Sequence, residues 1–181
     1  MASTDAIAEV VDYWRSAGSG RWFAKDRAFD AAFHDRFLDL HFSAARGERT
    51  AWANRPDGAL ALLILLDQFP RNAFRGTAHM YATDLLAHGV ADRALRAGHD
   101  QAVGEGLRLF FYLPFAHAEA LADQDRSVAL NRRLGGSFEA RAREHRAIIR
   151  RFGRFPHRNA IFGRESTAQE QAFLDNGGFA G

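Results

Sequence analysis

The chain has 181 residues, 47% hydrophobic and 25% charged, with 16 phenylalanines and a net charge of +2, the composition of a folded domain with a substantial core. It has no cysteine, which excludes disulfides, thiolate metal sites and cysteine nucleophiles. Lys25 is the single lysine among 24 basic residues, there is no phosphate loop, and no apolar run approaches the roughly 18 residues of a membrane span.

In chain order, Met1-Ala2-Ser3-Thr4-Asp5 lacks a basic region followed by an apolar one, so no signal peptide is expected and cytoplasmic residence is the default. Residues 4–17 are predicted to form a helix capped by Ser3 or Thr4, with Ile7, Val10, Val11 and Trp14 inward and Gly18 as the stop. Gly18-Ser19-Gly20 is expected to be a turn, and Trp22-Phe23 to dock on a neighbour. Residues 25–45 carry Phe29, Phe33, Phe37 and Leu40 at helical spacing before Gly47. His34 and His41 share a face there, with Asp30 one turn before His34. A metal site would need ligands at i, i+3 or i+4 with a third group aimed at them; half-exposed flanks of a core stripe are the expectation.

Asn54 is the expected cap of a helix running to about Gln68, and Pro70 is expected to push Phe69 out of helical geometry. Thr77 should cap a helix from about Ala78 to Arg96, with Met80, Leu85, Leu86, Val90 and Leu95 inward and Gly98 as its end. Leu107 to Phe115 reads as a short helix ending before Pro114. Ala116 to Leu134 reads as a longer one, with Leu121, Val128 and Leu134 inside. After Gly135-Gly136 comes a helix over 139–152 with Ile148, Ile149 and Phe152 inward. Thr167-Ala168-Gln169-Glu170 spells a capping box for a last helix ending near Asp175. About eight helices joined by short turns predict a single all-α domain over 1–181, helices in antiparallel pairs, with the extreme N-terminus and 177–181 frayed.

Charge is uneven. From Arg126 to Arg164 there are 11 arginines against Glu139 and Glu144. Arg143, Arg146, Arg150 and Arg154 form one helical stripe. Nucleic acid is one class of partner for such a stripe, but an ion-paired or solvated face is the expectation.

One stretch repeats. Phe69-Pro70-Arg71-Asn72-Ala73-Phe74-Arg75-Gly76 returns as Phe155-Pro156-His157-Arg158-Asn159-Ala160-Ile161-Phe162-Gly163-Arg164, each after an apolar helix. Either both are helix-breaking corners, or two Arg-Asn corners converge on one anionic group, since arginine offers a planar fork of donors.

Leu66-Asp67-Gln68-Phe69-Pro70-Arg71-Asn72, Leu113-Pro114-Phe115-Ala116-His117-Ala118-Glu119 and Gly153-Arg154-Phe155-Pro156-His157-Arg158-Asn159 occur in that order. Together they resemble a bacterial family, the domain of unknown function nine-two-four, over nearly the whole chain. The family segment would carry Met at position 116 and Ser at 118, where this chain has Ala116 and Ala118; His117 and Glu119 are intact. The resemblance implies a tetratricopeptide-like helical stack and no established reaction. It narrows the candidate binding residues to Asp67, Gln68, Arg71, Asn72, Arg75, His117, Glu119, His157, Arg158, Asn159 and Arg164.

Three roles fit that set. It can be a buried ion-pair network with Asp67 accepting from Arg71 or Arg158. It can be a pocket for an anionic small molecule, the leading functional expectation. It can be a hydrolytic or proton-transfer site with His117, Glu119, Asp67 and His157 as catalytic candidates. A separate class is a peptide-binding groove lined by exposed aromatics such as Trp22, Phe23 and Trp52. No metal or cofactor is called for by any motif.

Overall fold

The computed structural model describes residues 3–180; the side chains of Ser3 and Thr4, the expected first cap, lie outside the described residues. Among those residues the chain forms ten α-helices linked by short 3-10 turns, with no strand. Among the described residues no helix is long and apolar enough to cross a membrane. The helices belong to two compact units, one built from the chain up to Arg75 with His79–Pro114, the other from Gly76–Ala78 with the chain from Phe115 onward.

In the first unit, α1 (Ser3–Ala17) buries Ile7, Val10, Val11 and Trp14 as the periodicity predicts. The expected turn at 19–20 is instead one helical turn, α2 (Ser19–Trp22), and it sets Trp22 stacked on Trp14 at 6.3 Å. Asp26 accepts from the Ala28 and Phe29 amides and so caps α3 (Arg27–Ala45). Phe29, Phe33 and Phe37 line the buried face of α3. His41 departs from expectation, being fully buried.

α4 (Pro56–Leu63) is apolar on every side and buried from Gly58 onward, so it is the unit's central helix. Asn54 does not cap it: Thr50–Asn54 is itself a 3-10 turn, and Arg55 holds the cap position without a side-chain bond. A Cβ on Gly58 would lie 2.2 Å from the Trp52 carbonyl oxygen, so only glycine permits this close crossing.

Pro70 does not end the helix. The chain passes from α4 through one wide π turn, Ile64–Gln68, into α5 (Phe69–Ala73), with Phe69 in helical geometry at φ −53 and ψ −50. Proline forbids a regular continuation because it lacks an N–H and its ring crowds the carbonyl four residues back. The extra residue in the π turn relieves that conflict.

α6 (Asp84–Arg96) starts later than expected, after a 3-10 turn over Ala78–Tyr81, with Thr83 rather than Thr77 before it. Its inward stripe is Ala87, Ala91 and Ala94, which lets it lie close against α4, while Leu85 and Leu86 face outward. Gly98 ends it in the left-handed region. Leu107 to Phe111 is 3-10 rather than α, and Pro114 sits inside the short α7 (Leu113–Ala116).

In the second unit, α8 (Leu121–Asn131) and α9 (Gly136–Phe152) form a tight helical hairpin. α8 starts at Leu121, which is exposed, rather than at Ala116. Gln124, fully buried, ties the end of α7 and the link after it to α8: its amide nitrogen lies 3.3, 2.9 and 2.8 Å from the Phe115, Ala116 and Ala118 carbonyl oxygens. Ile148, Ile149 and Phe155 form a core with Phe152 and Phe173 against it. α10 (Ala168–Asp175) opens with the predicted capping box of Thr167 and Glu170.

Candidate functional site

The two Arg-Asn corners fall in different units, one each. In the first unit the π turn leaves successive carbonyls without their usual amides, because the Phe69 amide bonds to the Ile64 oxygen, one residue further back than in an α-helix. Side chains fill the vacancies. His41 Nδ1 lies 2.9 Å from the Leu65 oxygen, Thr83 Oγ1 donates to the Leu66 oxygen at 2.5 Å, and Arg71 Nη1 donates to the Asp67 oxygen at 2.8 Å. A carbonyl only accepts, so His41 carries its proton on Nδ1. Its Nε2 is buried with no hydrogen-bond partner among the described residues. Burial lowers the His41 pKa, the Leu65 bond opposes that, and nearby His79 adds to the fall.

Asp67 is 1% exposed and accepts from Gln68 Nε2 at 2.5 Å, with Arg71 Nη1 at 3.0 Å. Arg71 also grips Asp84 with both terminal nitrogens at 2.9 and 3.0 Å. Burial alone would favour loss of the Arg71 charge, but Asp67 and Asp84 outweigh it and raise its pKa. Asn72 Nδ2 and Arg75 Nε reach the two oxygens of Asp30 at 2.8 and 3.0 Å. All five candidates of this corner are therefore gathered, together with Asp30 and Asp84, as three carboxylates around two guanidinium groups. That balance offers an incoming anion no excess of positive charge. Thr83 and Asp84 were missed as partners; a Thr-Asp pair before a helical pattern is a cap signal that could have found them.

In the second unit Glu119 accepts the Phe155 amide at 2.8 Å and both terminal nitrogens of Arg164 at 2.6 and 3.1 Å. Burial would raise the Glu119 pKa, but the Arg164 bond, the Phe155 amide and the charges of Arg164 and Arg158 outweigh it and lower it. Arg154 makes a two-pronged pair with Glu170 at 2.6 and 2.8 Å. Asn159, fully buried, donates to Ser166 Oγ at 3.1 Å, and its Oδ1 has no partner among the described residues. Arg158 is buried, its guanidinium carbon 4.5 Å from the centre of the Phe155 ring.

Around that ring stand two further imidazoles, His145 at 5.4 Å and His157 at 5.7 Å between centroids. His145 Nδ1 faces the Ala116 oxygen at 3.3 Å, and His157 Nδ1 is buried without a partner among the described residues. Burial, then the charges of His117 and Arg158, bring His145 down to about 4 against the carbonyl's pull. Burial, Arg158 and His145 likewise bring His157 down to about 4, with Glu119 opposing. So the second corner joins His117, Glu119, His157, Arg158, Asn159 and Arg164 electrostatically or by bonds, and adds His145, which the sequence did not single out. His145 sits mid-helix in an arginine-rich stretch, where nothing local distinguishes it.

Other candidates disperse. In the basic stripe, Arg143 pairs with Glu139, Arg146 with Asp125 and Arg154 with Glu170. Of the three aromatics proposed for a groove, Trp52 is buried and Trp22 stacked, leaving Phe23 exposed. Clefts of about 260 Å³ beside Arg151 and Phe173, and about 400 Å³ beside Arg15, Arg55 and Leu60, include none of the candidate residues. Among the described residues no group of three histidine or carboxylate side chains is placed to hold a metal ion.

A family model described as bacterial protein of unknown function (DUF924) matches residues 10–178. The chain is also similar to a solved structure of a protein of unknown function from Agrobacterium tumefaciens, with 58% identity, a TM-score of 0.95, and coverage of 97% of this chain and 99% of that one. No curated protein matches it.

Proposed function

Since the chain belongs to the bacterial family of unknown function DUF924, we propose a role from side-chain chemistry alone: the second corner binds the acidic group of a small molecule beside His145, His157 and Arg158. One observation carries this. Two half-buried imidazoles, His145 and His157, and the Arg158 guanidinium converge on the Phe155 ring, His157 Nδ1 is buried with no hydrogen-bond partner among the described residues, and burial with surrounding positive groups keeps both imidazoles neutral. An anion entering that place reverses the local field, lets an imidazole take up a proton and gains a charge-assisted hydrogen bond. The first corner, with carboxylates in excess of guanidinium groups, is a structural clasp. General-base catalysis gains less support, because an imidazole of pKa near 4 is a weak base at neutral pH.

The test is calorimetric titration with inorganic phosphate and with acetate at pH 5.5 and 8, in buffers of different ionisation enthalpy. If one histidine regains its ordinary pKa in the complex, binding takes up a proton and is about tenfold tighter at the lower pH. Binding without proton uptake, or no binding while His157→Ala remains folded, overturns the proposal.

A further inference from the structure

Resting on the anion reading of the second corner, we infer that its ligand carries a flat aromatic ring beside the acidic group, and that Phe179 occupies the ring's place when no ligand is bound. Beyond α10 the chain turns through Gly177, at φ +77, and Gly178, whose amide bonds to the Phe173 oxygen at 2.9 Å. A Cβ on Gly178 would lie 2.5 Å from both the Phe173 ring and its carbonyl oxygen. The tail is thus pinned at Gly178, and the next residue is the first with a side chain to place. That side chain, Phe179, turns back on the histidines.

Its ring lies 4.6 Å from His145, 5.1 Å from His157 at an angle of 81°, and 6.3 Å from Phe155. These are the separations of interacting aromatic rings. The seat accepts a six-membered ring, and it accepts it against the two imidazoles that the acidic group is proposed to address. Yet Phe179 is 39% exposed, so the seat covers only part of it. A side chain held on one face only, with the rest of its ring in solvent, is cheap to displace. A ligand with ring and acid in one molecule gains both the seat and the imidazoles, whereas a bare anion gains the imidazoles alone.

The experiment uses the full chain as wild type, Phe179→Ala and Phe179→Trp, titrated at pH 5.5 with phenyl phosphate and with inorganic phosphate. Removal of a competitor from its own site raises the affinity of what replaces it. The preference for phenyl phosphate over phosphate is therefore expected to rise on the order of tenfold in Phe179→Ala. It is expected to fall below the wild-type value in Phe179→Trp, whose larger ring holds the seat more firmly. An unchanged preference in both variants overturns the inference, and so does a loss of phenyl phosphate binding in Phe179→Ala, which would make Phe179 a wall of the pocket. If phosphate binds but the ring adds nothing in any of the three proteins, only this inference fails. If neither anion binds any of the three proteins, the anion reading fails with it.

Discussion

At the scale of single residues, the molecule is marked by imidazoles kept neutral. His145 and His157 are expected to titrate near pH 4 in an NMR pH series of the unliganded protein, and to move upward when phosphate is added. Midpoints near 6.5 in the free protein would remove the basis of the anion site. Glu119 is the second telling residue, since it ties the Phe155 amide to Arg164. Glu119→Gln keeps its shape but loses the charge, so stability in urea should fall by about 1–3 kcal/mol. An unchanged midpoint would mean that solvent replaces both bonds. The motif residues gather at two corners, but most of their pairings were not legible. The Asp67–Arg71 pair, four residues apart on one helix, was among the expected pairings, but Arg71 and Arg75 draw their other partners from Asp84 and Asp30, and no local pattern announces those.

At the scale of elements, the π turn and the crossing at Gly58 decide how the central helix is held. Thr83→Val deprives the Leu66 carbonyl of its donor in a buried setting and should cost about 1–3 kcal/mol. Thr83→Ser, which keeps the hydroxyl, should lose well under half of that. Equal losses in the two variants would mean that the methyl group, not the bond, matters. Gly58→Ala should destabilise by about 1–3 kcal/mol, the overpacking term exceeding the ~1 kcal/mol that alanine gains in a helix. A more stable variant would show that the crossing can open. Helix positions along α1, α3 and α9 were legible because their apolar residues recur at helical spacing. The helix through Pro70 was not, since proline argues for a break and the remedy lies in bonds from His41 and Thr83 elsewhere in the chain. Leu85 and Leu86 misled for a related reason: the stripe that packs is made of alanines, which hydrophobicity alone underrates.

At the scale of the whole molecule, the same histidines set the response to acid. A histidine whose folded pKa is depressed stays neutral while its unfolded counterpart takes a proton below about 6.5, so stability is full above that pH and is lost as pH falls toward 4. His41, also lowered, adds in the same direction. Together they should remove on the order of 3 kcal/mol across that window after allowance for partial exposure. Below about 4.5 the lowered Glu119 and Glu170 continue the decline. Urea midpoints measured from pH 8 to 4 test this, and a flat profile between 6.5 and 4.5 would contradict it. The all-α class was legible across the chain, because turns and helical periods alternate throughout. The division into two units was not, since Gly76–Ala78 groups with the second while first-unit segments precede and follow it, and no change of composition marks the spot.

The single extra residue within the π turn also sets the angular phase of everything after it. Each helical residue advances the chain by about 100°, so an insertion turns the following side chains by that amount relative to the rod before them. Arg71 and Asn72 point toward Asp84 and Asp30 only because the count from Pro56 includes that residue. Deletion of one residue there leaves every amino acid of the corner present and still helical, yet aims the corner away from both acids. A corner of this kind is inherited as a length as much as a spelling, and homologues that keep its letters but lose one residue upstream should have lost the clasp.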